Sequence, residues 1–124
     1  MARRKGLSYE EKMINALKSL PNPIDDKRHN ILIHFVDDRA RSNESRFEHI
    51  ISGRHELLPS DIKRIQRYIR KSLFMKDKEK KDTFNYYIER NSYGIEYIKV
   101  SVKLTKDKPQ DAYVRTIFIT KVIK

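Results

Sequence analysis

Two histidines and two arginines lie close together near the middle of the sequence, at Arg46, His49, Arg54 and His55. Imidazoles exchange protons near neutral pH, and guanidinium groups bind phosphate oxygens through paired donors. Cleavage of RNA without a metal ion needs a base for the 2′-hydroxyl, an acid for the leaving 5′-oxygen and a cation for the phosphate. His49 and His55 are therefore candidate acid and base groups, in either order, and Arg54 is a candidate phosphate ligand.

The spacing of these two histidines leaves two interpretations open. Their six-residue separation corresponds to about 600° around an α-helix, so on one continuous helix they point to different sides. Gly53 lies between them, and a helix that ends at this glycine would allow His55 to turn back toward His49. The alternative is structural, with His49 bonded to a backbone carbonyl and His55 in a loop or cap.

The other histidines and the aspartates near them are weaker candidates for a catalytic or metal site. His34 lies inside an apolar run, which favours a hydrogen-bonded core residue, and His29 follows two aspartates in a predicted loop. The nearby carboxylates fit no recognised spacing of a metal site, so we expect no metal: Asp25, Asp26, Asp37 and Asp38.

The net charge of the chain indicates which class of molecule it binds. The 124 residues include 28 Lys and Arg against 17 Asp and Glu, a formal net charge of +11. Such an excess favours nucleic acid, because cations that neutralise phosphates release bound counterions. A membrane surface is disfavoured, since no basic amphipathic helix carries large apolar anchors.

Other composition features exclude whole classes of protein. The absence of cysteine excludes disulfides and thiolate chemistry, and three glycines are too few for a Gly-rich phosphate loop. We therefore expect no nucleotide cofactor. No stretch approaches the roughly 20 apolar residues of a membrane span, and the basic N-terminus lacks a secretory core, so we expect a cytoplasmic protein.

Helical periodicity occupies the first two-thirds of the chain. Ser8 and Glu11 form a capping box for a helix over residues 9–19, and Gly53 ends a second over 42–53. The run 31–36 fits either a strand or a helical turn. A third helix extends from Pro59 to about residue 72. The basic face of this helix, together with Arg46 and Lys99, is the predicted nucleic-acid-binding surface; the alternative is that the face is only solvated. The cations on the helix are Lys63, Arg64, Arg67, Arg70 and Lys71.

The last third alternates with period 2. Strands are predicted over 84–88, 98–104 and 113–123, and the third has apolar residues at both parities, as in a strand covered on both faces. The predicted fold is α+β, with N-terminal helices packed on an antiparallel meander of three to four strands. We expect one domain over 1–124, with 1–40 as a peripheral helical segment and 41–124 as the body.

Three segments resemble a known family. The run Phe47-Glu48-His49-Ile50-Ile51-Ser52-Gly53-Arg54-His55-Glu56-Leu57, the helix led by Asp61, and the strands 98–103 and 114–120 look like the phage-associated branch of the barnase/EndoU/colicin/RelE-like nuclease superfamily. The resemblance covers about residues 46–120. One departure is that the helix after Asp61 ends in Ile69-Arg70-Lys71-Ser72 instead of a proline.

The resemblance implies a metal-independent endoribonuclease that leaves a 2′,3′-cyclic phosphate, with its site on the exposed sheet face. His49 and His55 match the histidine element of the family, Thr116 matches a hydroxyl residue, and Arg115 lies where a cation would bind phosphate. Because Arg115 and Thr116 are adjacent, they share a face only if a bulge intervenes.

Two functions are therefore predicted. The first is this ribonuclease, in the manner of a toxin from a mobile element, for which an acidic immunity or antitoxin protein would complement the charge of +11. The second is a non-catalytic nucleic-acid-binding protein that uses the helix over residues 60–72.

Overall fold

The structure, a computed structural model, describes residues 8–21, 23–35, 57–90, 96–105 and 111–121. These ranges contain helices α1 (Tyr9–Lys18) and α2 (Pro59–Tyr68), with a 3₁₀-helix (Ile69–Lys71) directly after α2. They also contain six strands: β1 (Ile24–Asp26), β2 (Ile31–His34), β3 (Leu73–Lys76), β4 (Thr83–Glu89), β5 (Tyr97–Leu104) and β6 (Asp111–Thr120).

The six strands form one curled, mixed sheet in the order β1-β2-β6-β5-β4-β3. From β3 to β6, each strand pairs antiparallel with the next one along the chain, and β1 pairs antiparallel with β2. Among the strands of the described ranges, only β2 and β6 pair in parallel, with Ile33 opposite Ala112 and His34 opposite Tyr113. This parallel pair joins the first part of the described chain to the last.

The predicted fold class is wrong. A six-stranded curled sheet, with two short α-helices in the described ranges, replaces N-terminal helices on a meander of three to four strands. Three of the strands have too few residues to show a clear alternation, and the pairing of β2 with β6 joins residues as distant in the sequence as Leu32 and Asp111. Sequence patterns report local periodicity and contain no direct signal for such long-range pairing.

Both described helices begin as their sequences predict. Ser8 Oγ accepts a hydrogen bond from the Glu11 N–H at 3.1 Å, and the Glu11 carboxylate accepts one from the Ser8 N–H, also at 3.1 Å. The predicted capping box of α1 is thus confirmed. In α2 the first residue is Pro59, and the Asp61 carboxylate accepts a hydrogen bond from the Leu58 N–H at 2.8 Å. The predicted helix over 42–53 lies outside the described residues.

One hydrophobic core lies between the two helices and one face of the sheet. Met13 and Leu17 of α1, and Ile62 and Ile65 of α2, pack with inward residues of β1, β2, β4, β5 and β6. The inward residues of the last two strands include Ile98, Val100, Val102, Ala112, Val114 and Ile117. We call the opposite side of the sheet the second face.

The run that fits either a strand or a helical turn is a strand over Ile31–His34. It pairs with β1 through a tight turn, in which Asn30 has the left-handed φ of 55° that asparagine tolerates better than most residues. Ile31 and Ile33 point into the core, which leaves Leu32 and His34 on the second face.

A β-bulge explains the apolar residues at both parities in β6. Ser101 pairs with Thr116 and Val102 pairs with Val114, so Arg115 has no partner residue on β5. The bulge reverses the parity of the strand, because Val114 and Ile117 are both completely buried in the core. The sequence prediction of a strand covered on both faces is therefore replaced by one inward face that changes parity at the bulge.

No helix within the described ranges is long and apolar enough to span a membrane.

Candidate nucleic-acid interface

Two adjoining clefts lie along α2 and share Arg64 and Tyr68. One has a volume of about 400 Å³ and lies between the C-terminal half of α2 and the ends of β3, β4 and β5. The other has a volume of about 340 Å³ and reaches Arg90. We call the two together the α2 groove, and its lining includes five cations: Lys63, Arg64, Arg67, Lys71 and Arg90.

Two of these five cations are held by the protein itself. Arg64 Nε donates to the Glu89 carbonyl oxygen at 2.7 Å, and its guanidinium lies 4.5 Å from the centroid of the Tyr68 ring. Arg90 pairs with Asp61 at 3.0 Å and with Glu96 at 3.4 Å. These contacts fix the wall of the groove and neutralise part of its charge.

The other three cations form a basic stripe on the exposed side of α2 and of the 3₁₀-helix that follows it: Lys63, Arg67 and Lys71. None of the three has a hydrogen bond or an ion pair with any residue that the structure describes. Lys63 and Arg67 are four residues apart on α2, which is a rise of about 6 Å, and Lys71 follows four residues later at the end of the 3₁₀-helix. That rise is close to the distance between neighbouring phosphates in a nucleic-acid strand.

Tyrosine rings accompany the cations. Tyr68 and Tyr97 are partly exposed and line the groove, whereas Tyr87, which also lines it, is almost completely buried. Exposed aromatic rings beside a basic track are typical of surfaces that bind single strands, because unpaired bases stack on them.

The remaining predicted nucleic-acid-binding residues in the described ranges lie outside the groove. Arg70 turns toward β1, where its Nε donates to the Asp25 carbonyl oxygen at 2.8 Å. Lys99 lies on the second face, with its Nζ 5.7 Å from the centroid of Tyr87 and 5.2 Å from that of Phe118. Arg46 lies outside the described residues.

Of the five predicted catalytic residues, the structure describes two. His49, Arg54 and His55 lie outside the described residues. Arg115 and Thr116 lie side by side on the second face, because the bulge places both of them between the inward residues Val114 and Ile117. Arg115 is exposed, and its guanidinium contacts no partner within the described ranges.

The second face is covered in its middle and more open on β6. Asn85 and Ser101 are buried there, and the Ser101 hydroxyl donates to the Asn85 side-chain oxygen. The Asn85 amide donates to Asp77 at 3.2 Å. Backbone N–H groups of Lys80 and Glu79, together with this amide, lower the pKa of Asp77 to about 2. This network anchors the β3–β4 loop on the sheet.

A second cluster joins the β1–β2 turn to the core, and the sequence prediction missed it. The completely buried Asp26 accepts hydrogen bonds from the Tyr86 hydroxyl and from His29 Nδ1, each at 2.7 Å. Arg28 lies 3.5 Å from the same carboxylate, and its other two nitrogens donate to the Ile69 and Ser72 carbonyls at 3.0 Å. His29, predicted to lie in a loop, stacks on Phe74 at a centroid distance of 3.8 Å.

Opposing effects act on the pKa of Asp26. Burial alone would raise this pKa, but hydrogen bonds from Tyr86 and His29, with the charges of His29 and Arg28, outweigh burial and lower it below its usual value. For the Tyr86 hydroxyl, burial and the hydrogen bond to Asp26 both raise the pKa far above the usual range. The carboxylate therefore stays ionised and the phenol stays protonated at neutral pH.

A third feature is an aspartate–histidine pair on the second face. His34 Nε2 lies 2.8 Å from Asp111 Oδ1, and the His34 ring stacks on Tyr113 at a centroid distance of 4.8 Å. The sequence predicts that His34 is hydrogen-bonded in the core; it is hydrogen-bonded, but it points away from the core. Its partner is 77 residues away in the chain, so no local pattern indicates the pair.

The described residues offer no group of three or more His, Asp or Glu side chains that could hold a metal ion. Comparisons with protein-family models, with curated proteins and with solved structures find no match to this chain.

Proposed function

We propose that this protein binds single-stranded RNA along the α2 groove. The observation that carries the proposal is the basic stripe, Lys63, Arg67 and Lys71, whose three exposed cations have no partner in the described part of the chain. A net charge of +11 attracts polyanions in general, and the stripe offers a linear set of contacts to successive phosphates.

The aromatic lining of the groove favours a single strand over a duplex. Tyr68 and Tyr97 line it beside the cations, and stacking on such rings needs bases that are not already paired. RNA is favoured over DNA by the sequence resemblance to a ribonuclease superfamily, which the binding experiment can test directly with matched oligomers.

The experiment measures the affinity of labelled single-stranded RNA by fluorescence anisotropy at several salt concentrations. We expect the triple variant Lys63→Ala, Arg67→Ala, Lys71→Ala to reduce the slope of log K against log salt by about 2, because each phosphate contact contributes about 0.7. A DNA oligomer of the same sequence shows whether the 2′-hydroxyl adds affinity.

The matched control removes three positive charges elsewhere. Lys78, Lys80 and Lys81 are exposed in the β3–β4 loop, so their triple alanine variant has the same net charge as the stripe variant. We expect this control to keep most of the affinity and most of the salt slope. Equal losses in the two variants would mean that total charge, and not the stripe, binds the strand.

A ribonuclease is the second candidate function. The observation in its favour is the β-bulge, since the side-by-side position of Arg115 and Thr116 on the second face is the arrangement that their proposed roles require. Incubation of RNA with the protein in EDTA tests it through the chemistry of the 3′ ends. Cyclic phosphate that disappears in His49→Ala or His55→Ala would support the histidines of the sequence resemblance as the catalytic pair.

A further inference from the structure

Glu89 is an exposed carboxylate inside a basic groove. Two acidic residues line the described part of the α2 groove, Asp61 and Glu89. Asp61 is buried, accepts a hydrogen bond from the Leu58 N–H and pairs with Arg90. Glu89 is exposed, and its carboxylate has no hydrogen bond or ion pair with a residue that the structure describes. A carboxylate at this place weakens the attraction of the groove for phosphates, so binding of the strand backbone does not account for it.

A tyrosine ring lies directly beside this carboxylate. Glu89 of β4 is the register partner of Tyr97 of β5. Their neighbours Ile88 and Ile98 are buried in the core, so both side chains point to the other side of the sheet. Opposite residues on one face of an antiparallel pair have Cβ atoms about 4.5 to 5.5 Å apart. Tyr97 also meets the Tyr87 ring edge to face, at a centroid distance of 6.4 Å, and this contact restrains the ring without stacking on it.

The other groups of this cleft complete a binding site for one nucleotide. The Arg64 guanidinium covers one face of Tyr68, and Tyr87 is almost completely buried, so Tyr97 is the ring most available for stacking. Arg64 is held next to Glu89 through its hydrogen bond to the Glu89 carbonyl oxygen, and its terminal nitrogens have no hydrogen bond within the described ranges. The volume of about 400 Å³ is within the range of roughly 300 to 1,000 Å³ that is usual for small-ligand pockets.

A carboxylate distinguishes the four bases by the donors on their Watson–Crick edges. It accepts hydrogen bonds and donates none. Guanine presents two adjacent donors, N1–H and the 2-amino group, which match the two carboxylate oxygens as the paired donors of a guanidinium do. Adenine and cytosine present one donor next to a lone pair, and uracil presents one donor between two carbonyl oxygens. Each of these three bases therefore places an acceptor against the carboxylate.

We propose that the cleft at Glu89 selects guanine in the bound strand. The Glu89 carboxylate accepts hydrogen bonds from guanine N1 and N2, the base stacks on Tyr97, and Arg64 binds the adjoining phosphate. The inference rests on the proposed binding of single-stranded RNA along the α2 groove, and it adds base selectivity to that function. The basic stripe supplies affinity for any sequence, whereas Glu89 decides which base enters the cleft.

The experiment measures, by fluorescence anisotropy, the affinity of labelled uridine oligomers that carry one central purine. Guanosine and adenosine both offer a purine ring for stacking, so the ratio of their affinities reports the contacts at the base edge. We expect wild type to bind the guanosine oligomer about tenfold more tightly, because hydrogen bonds to a charged group contribute more than neutral ones. Inosine, which lacks only the 2-amino group, should bind about threefold more weakly than guanosine.

Two substitutions separate edge recognition from stacking. In Glu89→Gln the amide offers one acceptor and one donor, so guanosine should lose its advantage over adenosine while affinity for the plain uridine oligomer is kept. Tyr97→Ala should weaken the binding of both purine oligomers by about fivefold or more. Tyr97→Phe should bind them as wild type does, since the ring alone provides the stacking.

The matched control is Glu79→Gln, which removes the same charge from an exposed residue in the β3–β4 loop. We expect this control to keep the wild-type ratio of guanosine to adenosine affinity. Circular dichroism before each titration confirms that the variants are folded.

Three outcomes would overturn the inference. Equal affinity of wild type for the guanosine and adenosine oligomers would end guanine selection while the binding function stands. A wild-type ratio of the two affinities in Glu89→Gln would remove Glu89 from the selection. A wild-type protein without affinity for any of the oligomers would overturn the proposed function and this inference together.

Discussion

The two aspartate–histidine pairs among the described residues have nearly the same hydrogen-bond length and very different surroundings. Asp26 is completely buried, and its carboxylate also contacts the Tyr86 hydroxyl and Arg28. The side chains of Asp111 and His34 are 14% and 18% exposed, and no second donor to the Asp111 carboxylate occurs among the described residues. The first pair links three parts of the core, and the second links two strands.

This difference indicates that the two pairs contribute unequally to the stability of the fold. Arg28 connects the Asp26 cluster to carbonyls at the end of the 3₁₀-helix, so the cluster holds the β1–β2 turn against both β4 and that helix. A buried carboxylate with several donors stabilises the fold only while every partner is present. The His34 pair holds less structure together, because its hydrogen bond joins only β2 and β6.

The largest expected effect comes from deleting the two carboxylates in turn. We expect Asp26→Ala to lower the free energy of unfolding by about 3 kcal/mol, because the buried Tyr86 hydroxyl and the His29 ring lose their acceptor and Arg28 loses its counter-charge. Asp111→Ala should lower it by about 1 kcal/mol or less. Urea unfolding followed by circular dichroism measures both values, and equal values would remove the distinction between the two pairs.

A smaller effect is expected from the phenol of the buried cluster. We expect Tyr86→Phe to lower the free energy of unfolding by about 1 to 2 kcal/mol, because one hydrogen bond is lost while His29 still satisfies the carboxylate. Tyr97→Phe is the matched control, since the Tyr97 ring is partly exposed and lines the groove. An effect of Tyr86→Phe as small as that of the control would show that the hydroxyl contributes little.

The smallest expected effect is the loss of folding stability when acid protonates Asp26. Because the pKa of Asp26 is lower in the folded protein than its ordinary value of 3.8, its contribution to stability is complete above that pH. The contribution is lost as the pH falls from 3.8 through the folded-state pKa. Asp26→Asn, which does not titrate, should be less stable at neutral pH and should lose less free energy of unfolding in this acid window.

Other carboxylates contribute to the same window. Asp77, with its pKa of about 2, is one of them, so Asp26→Asn should reduce the acid sensitivity without removing it. Urea unfolding at several pH values measures the difference between variant and wild type. Parallel curves for the two proteins would contradict a lowered pKa at Asp26.

Local features of the sequence predicted the elements that local interactions decide. The capping box of Ser8 and Glu11 and the proline at the start of α2 fixed where two helices begin, because capping involves residues three or four positions apart. The basic face of α2 was also readable, since charges at helical spacing need only the helix itself. The alternation in β4 and β5 predicted both strands for the same reason.

The bulge in β6 was only partly predictable from the sequence. Apolar residues at both parities were visible in the sequence, and a strand buried on both faces or a strand with an inserted residue would produce the same pattern. The register with β5 distinguishes them, because Val102 pairs with Val114 while Ser101 pairs with Thr116. That register depends on the neighbouring strand and is not encoded in β6 alone.

By itself, the sequence determined the charge of the protein, the start of its helices and the basic stripe on α2, since each follows from composition or from residues close in the chain. Only the tertiary structure decided that His34 meets Asp111 and that the turn containing Asp26 meets Tyr86. Both clusters depend on pairings between distant segments, which the burial of apolar residues across the whole sheet selects. Hydrogen bonds between such residues form only after that selection is made.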